Sequence, residues 1–314
     1  MAELVFSKSG IQSQKDLTSR LPKDDWRLAR PNRGHFLAIA LLLEGALRHI
    51  ITLNYDLALQ TALSQLGSGD KISIIHGPDD HGRSASNSLI YLHRSVDDDE
   101  EQWVLRKSVL DTSWEGAWEG VVASANLSAP LTVFAGLGSP AAVLTDSVQR
   151  LATAAESEFY LVDPYPQGNK FAEALGSNMQ PPIAMYWSAF MEKLSNRLVN
   201  EHAIRLEDAA RELADQIDCS PVEIDSVVAR LSALDLVTLG RVRASWLLHS
   251  ANYATEGDES RRMFVADLLL GIGWVQDLLG GANFSIDPSG RVTIVDRHGV
   301  ELNFYVAHAQ GIKS

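Results

Sequence analysis

The chain has 314 residues, 46% hydrophobic and 21% charged, an ordinary globular balance with ample apolar material for a core. Its net charge is −13, spread evenly, with 15 basic against 22 acidic residues before Gly176 and 12 against 18 after it. Neither part carries the basic footprint that direct nucleic-acid binding needs, and a single cysteine, Cys219, excludes a disulfide framework, a cysteine-rich zinc site and an iron–sulfur cluster.

The opening Met1-Ala2-Glu3-Leu4-Val5-Phe6 has neither the basic nor the apolar region of a signal peptide. The longest apolar run, Phe36 to Leu43, is far short of the roughly 20 residues of a membrane helix. A cytoplasmic protein with no membrane partner is the expectation. An apolar-rich helix from about His35 to Ala46 leads into a strand over 48–53. Further strands are expected at 71–75, 88–92, 131–135 and 158–162, with a short edge strand at 102–105 and a helix near 141–157. Strands alternating with helices predict a mainly parallel, Rossmann-like sheet that takes ligands at the carboxyl ends of its strands. The Gly- and Asp-rich stretch His76 to Ser84 and the acidic run Asp97 to Glu101 read as solvated loops.

Gly176 to Pro182 marks a boundary, giving a first domain over 1–175, a linker over 176–187 and a second domain over 188–314. The second domain reads as helical at 188–217, again from the capping sequence Ser220-Pro221-Val222-Glu223, and at about 260–279. It closes in three β runs separated by Gly-containing turns, a small meander. The fold class expected is therefore α/β: a Rossmann-like, mainly parallel sheet domain, then a helical domain ending in a three-stranded β-meander.

Three segments carry chemistry. Thr52-Leu53-Asn54-Tyr55-Asp56 leaves the first strand where α/β enzymes place ligands, although Asn and Asp there also serve as turn and helix caps. His93 follows the strand 88–92 and is placed to act as a base, or to rest against a backbone carbonyl. Gly136-Leu137-Gly138-Ser139 joins a strand to a helix, where small residues admit a ligand to the backbone or simply satisfy a tight turn. It lacks the third glycine of the dinucleotide fingerprint. His76, His81, Asp79 and Asp80 match no zinc spacing.

Taken in order, Arg30 to His35, Ile51 to Asp56, Tyr91-Leu92-His93, Gly136 to Ser139 and Leu161-Val162-Asp163-Pro164 resemble the sirtuin-like family. The likeness is closest to its zinc-free bacterial branch, whose members hydrolyse NAD in anti-phage defence, and it covers roughly residues 3–175. The resemblance implies that Asn54 orients water near the nicotinamide ribose, that Asp56 helps shape the nicotinamide pocket and that Thr52 is a further cofactor-binding residue. It implies His93 as general base at the ribose hydroxyls, and Gly136, Gly138, Ser139 and Asp163 around the adenosine half. The family usually has glycine after this histidine, where this chain has Arg94, and deacetylating members carry four zinc-binding cysteines that this chain lacks. The family begins with a strand and a Gly-Ala-Gly-x-Ser loop. Here Phe6-Ser7-Lys8-Ser9-Gly10-Ile11 resembles only the tail of that loop, with Ser7 as its cofactor contact. The expectations are thus an NAD glycohydrolase using NAD as substrate and no metal, partnered by copies of itself or by a defence-system protein. The alternative is a non-catalytic NAD- or ADP-ribose-sensing subunit of the same fold.

Overall fold

The computed structural model describes residues 13–66, 72–81, 87–103, 105, 118–138, 145–146, 148–149, 157–217, 225, 229, 236, 271–273, 275–276, 278–280, 283–286 and 291–305. Two one-turn helices, α1 (Gln14–Thr18) and α2 (Lys23–Arg27), precede α3 (Arg33–Glu44). Both ends of α3 are written in its sequence. Asn32 caps the start by accepting from the His35 amide at 3.2 Å, and His35 Nδ1 accepts from the Asn32 amide at 3.1 Å. Gly45, at φ 78°, ends the helix, and the amides of Ala46 and Leu47 turn back onto the Leu41 carbonyl.

The chain then builds β1 (His49–Thr52), α4 (Ala58–Gln65), β2 (Ser73–Ile75), α5 (Pro78–His81) and β3 (Ser88–Tyr91). After these come α6 (Trp118–Leu127), β4 (Leu131–Ala135), β5 (Glu158–Asp163), α7 (Lys170–Leu175), β6 (Ile183–Ala184) and the long α8 (Trp187–Ile217). The chain closes in β7 (Asn283–Ile286), β8 (Arg291–Val295) and β9 (Glu301–Tyr305). Among the described residues the strands form three three-stranded sheets: β1-β3-β2 and β4-β5-β6, parallel throughout, and the antiparallel meander β7-β8-β9.

The protein is thus a mixed α/β chain in which short parallel sheets and helices share buried faces. The central strand β3 is buried at every position, which accounts for its apolar Leu89, Ile90 and Tyr91. Leu89 and Tyr91 point into a cluster with Ile39 and Leu42 of α3 and Leu63 of α4. Ile90, with Leu92 just beyond the strand, points the other way, into Phe134, Phe159, Leu161 and Phe171. The second cluster joins the two parallel sheets. A third cluster seats α8 on α3: Leu37 and Leu41 meet Trp187, Phe190, Met191 and Leu194. A Cβ added at Gly34 would lie 2.8 Å from the Trp187 ring, so the helices close at a residue with no side chain. A buried polar contact also spans them, His202 Nε2 to Glu44 Oε1 at 2.9 Å.

Several expectations meet a different structure. Residues 102–105 form no edge strand among the described residues: Glu100–Gln102 is a 3-10 turn. The Asp99 carboxylate caps this turn through the Glu101 amide, and the buried Trp103 donates its indole N–H to the Asp98 carbonyl at 3.2 Å. The stretch after His76 is not all loop, since Pro78 opens the one-turn α5. The acidic run 97–101 is largely engaged rather than solvated. Asp97 pairs with Arg27 at 3.1 Å, Glu100 takes Lys23 and Thr18, and Asp98 binds Ser95 and His76. Residues 176–187 contain a 3-10 turn (Gly176–Asn178) and β6, which pairs with β5. The cap at 220–223, Cys219, and most of the helices at 141–157 and 260–279 lie outside the described residues.

The α3–α8 packing yields a direct test. Leu41→Ala, in a site with no solvent exposure, should destabilise the protein by about 2–5 kcal/mol in chemical denaturation. Leu28→Ala, at a side chain 77% exposed, should change it by less than about 0.5 kcal/mol. Equal effects would contradict the packing described.

Candidate functional site

Parallel pairing sends the carboxyl ends of β1, β2 and β3 to one edge, and the residues just past each strand form a shared lip. The pairing brings Thr52 opposite Tyr91, and beyond it the Leu92 amide donates to the Thr52 carbonyl at 3.0 Å. Asn54 and His93 each stand two residues past that register pair, on neighbouring strands. Leu53, Leu92 and Leu137, just beyond β1, β3 and β4, join one apolar cluster, so the lips of the two parallel sheets adjoin.

On the first lip, Thr52 Oγ1 accepts from the Asn54 amide at 3.1 Å and turns the chain outward. Asn54 is exposed, and its side-chain amide makes no hydrogen bond among the described residues. Asp56 does the local work its residue type favours, accepting from the Ala58 amide at 3.0 Å as α4 begins. Its charge also reaches two neighbours. Burial lowers the pKa of His35, with Asp56 opposing; burial raises that of Tyr91, with Asp56 adding to the rise. Tyr55 stacks on Trp26 at 5.7 Å and leans on Trp103 at 5.2 Å. Together these rings form an aromatic wall beside the lip.

His93 is largely enclosed. Its Nε2 is sealed from solvent and meets no hydrogen-bond partner among the described residues, and burial pushes its pKa down to about 4. At neutral pH it is an uncharged imidazole with an open acceptor or donor. The next residue, Arg94, takes φ 77°, a left-handed conformation that glycine adopts at little cost. Its guanidinium accounts for the position: Nη1 donates to the His76 carbonyl at 2.7 Å and Nε to Gln102 Oε1 at 3.2 Å. It also lies so close to Gly77 that a Cβ there would stand 2.7 Å from Nη1.

On the second lip, Gly136 has φ 72° and donates its amide to the Val162 carbonyl at 3.3 Å. Gly138 needs no positive φ. Asp163 ends β5; one carboxylate oxygen accepts from the Tyr165 amide at 2.7 Å, the other from Asn169 Nδ2 at 2.7 Å. That same amide group donates to the Leu137 carbonyl at 2.8 Å, and Asn169 Oδ1 caps α7 through the amides of Phe171 and Ala172. Asn169 therefore couples the glycine turn to Asp163. Sequence reasoning passed it over, although Asn before an apolar helix is a readable cap. Ser7 and Ser139 lie outside the described residues.

The structure thus gathers Thr52, Asn54, Asp56 and His93 on one lip and Gly136, Gly138 and Asp163 on the adjoining one. His76 and Arg94, which the sequence reading assigned no role, belong to the first lip too. Among the described residues no group of histidines, cysteines and carboxylates is arranged to hold a metal, and no helix is long and apolar enough to cross a membrane. Comparison of the chain with protein-family models, with curated proteins and with solved structures gives no match in any of the three.

The enclosure of His93 has a measurable signature. Its folded pKa of about 4 lies below the ordinary 6.5, so between those values the unfolded chain binds more protons. Stability should fall as pH drops from 6.5 to 4, by up to about 3 kcal/mol, and be unaffected by this group above 6.5. NMR titration of the imidazole should show a midpoint near 4, and His93→Gln should flatten the slope in that window. A midpoint near 6.5 would contradict the enclosure.

Proposed function

We propose that the chain is a sirtuin-like NAD glycohydrolase, releasing nicotinamide and ADP-ribose from NAD. The observation that carries the reading is the β1–β3 register, which leaves an exposed, unengaged Asn54 and an uncharged His93 each two residues past the Thr52–Tyr91 pair at the carboxyl edge of a parallel sheet. These are the two residues that the resemblance puts at the nicotinamide ribose.

The chemistry suits such a lip. Breaking the bond between C1′ of the ribose and the nicotinamide nitrogen leaves the electron pair on nicotinamide and positive charge on the sugar. A water then bonds to C1′, and its proton passes to solvent. Asn54, with a free carboxamide, orients that water. An uncharged His93 accepts a hydrogen bond from a ribose hydroxyl at Nδ1, the ring nitrogen that is not sealed, without adding a repelling positive charge next to the cation. The Asp56 carboxylate, already felt by His35 and Tyr91, lends negative potential to the same side. The second lip takes the adenosine half, with the turn at Gly136 and Gly138 exposing backbone and Asp163 held in a fixed orientation by Asn169. Action in bacterial anti-phage defence, in the cytoplasm and as a homo-oligomer or with a defence-system protein, extends the same reading and rests on the resemblance.

One observation favours a second reading. Where the family usually has glycine, Arg94 fills the turn after His93 and anchors on His76. A non-catalytic subunit that senses NAD or ADP-ribose would tolerate a bulky, fixed side chain there better than an enzyme that must admit water.

Purified protein incubated with NAD should release nicotinamide. Asn54→Ala and His93→Ala should each lower the rate by about 10²-fold or more, the ordinary size of a positioned-group effect. Calorimetric binding of NAD or ADP-ribose without any nicotinamide release would overturn the enzyme and support the sensing subunit.

A further inference from the structure

Two histidines stand at the lip of the first sheet, in opposite surroundings. His93 has its Nε2 sealed and unpartnered among the described residues. His76, the first residue beyond β2, has a side chain 25% exposed. Its ring lies flat on Tyr91, with centroids 5.2 Å apart and planes within 2°. Its Nδ1 is 3.0 Å from Asp98 Oδ2.

Asp98 fixes the state of that ring. The same oxygen accepts from the Ser95 amide at 2.6 Å and from Ser95 Oγ at 2.8 Å. Burial alone would raise the Asp98 pKa, but the hydrogen bonds from His76 and Ser95 outweigh it and hold the group below its usual value. At neutral pH Asp98 is therefore a carboxylate and can only accept. His76 must donate from Nδ1, so in the uncharged ring the lone pair lies on Nε2, and no hydrogen bond reaches Nε2 among the described residues. The backbone is held as well, by the Arg94 guanidinium on the His76 carbonyl and by the His76 amide directed at Asp80 Oδ2, 3.4 Å away. This is not a serine-hydrolase triad. Ser95 is fully buried, and its hydroxyl donates to the carboxylate itself, on the Nδ1 side of the ring.

We propose that His76, oriented by Asp98 and Tyr91, is the proton-accepting catalytic residue of this lip, presenting Nε2 to water or a sugar hydroxyl. The proposal rests on the nucleotide-hydrolase reading above and divides its labour. Nε2 of His76 takes a proton from the attacking water as the oxygen bonds to C1′ and the nicotinamide departs with its electron pair. The imidazolium so formed is stabilised by Asp98 and gives its proton to solvent. His93, with Nε2 sealed and the ring uncharged, orients a ribose hydroxyl through Nδ1. Asp98 and Arg94 are positioning residues, Asp98 setting the tautomer and Arg94 the backbone.

Diethyl pyrocarbonate labelling of the folded protein at pH 7, mapped by peptide mass and repeated with saturating ADP-ribose, tests the placement. Nicotinamide release by His76→Gln and Asp98→Asn tests the role. The proposal expects His76 to be modified and His93 spared, with ADP-ribose slowing His76 labelling at least about tenfold. It expects Asp98→Asn to lower kcat by about 10²-fold with KM unchanged. An unlabelled His76, bound ADP-ribose that fails to protect it, or undiminished turnover in His76→Gln would overturn this proposal alone. Absence of both binding and turnover in the wild type would overturn the hydrolase reading and the catalytic role together.

Discussion

Parallel pairing of β3 with both β1 and β2 is the constraint on which the rest of the arrangement depends. In an antiparallel sheet, the residues after successive strands go to opposite edges. Here Asn54, His76 and His93 are delivered to one edge because all three strands run the same way. Maintaining that direction requires both faces of β3 to be buried, and its alternating side chains supply two separate clusters, one under α3 and α4 and one against β4 and β5. The lip thus stands on a strand with no solvent-facing side, which keeps its register from slipping.

Around that edge, charge and aromatic surface do the fine positioning. Glu100 collects Lys23 and Thr18, Arg27 reaches Asp97, and Gln14 donates to the carbonyls of Glu100 and Trp103 at 2.7 and 2.9 Å. Each exposed pair contributes little by itself. Together with the Trp26, Tyr55 and Trp103 rings they hold residues 13–28 against the loop after His93. That loop carries Asp98, and so the setting of His76 depends on a segment much earlier in the chain.

The strands were legible in the sequence where burial dictates composition. The runs at 48–53, 88–92, 131–135 and 158–162 are rich in apolar residues because each strand has at least one buried position, and β4 starts and ends where its run does. The meander was legible for a different reason, since its Gly-containing turns punctuate alternating β-branched residues. What escaped was set by distant partners. Residues 102–105 contain a tryptophan and a valine, but Asp99 and the Trp103 indole contact draw the approach into a 3-10 turn. β6 is two residues long after Pro181-Pro182 and exists only because β5 offers it an edge. The acidic run carries no local sign that Lys23, Arg27 and His76 will meet it. His76 itself sits among turn formers, and only the fold reveals the flat stacking on Tyr91 and the carboxylate behind its ring.

The proposed site is a single one: the joined carboxyl-terminal lips of the two parallel sheets hold one nucleotide, with the ribose next to nicotinamide at Asn54 and His93 and the adenosine half near Gly136 and Asp163. A crystal structure with ADP-ribose bound tests this most directly. The expected result is the distal ribose within hydrogen-bond reach of Asn54 and His93 and the adenosine beside the Asn169-linked turn. Ligand density on any other surface, or none at saturating concentration, would contradict it.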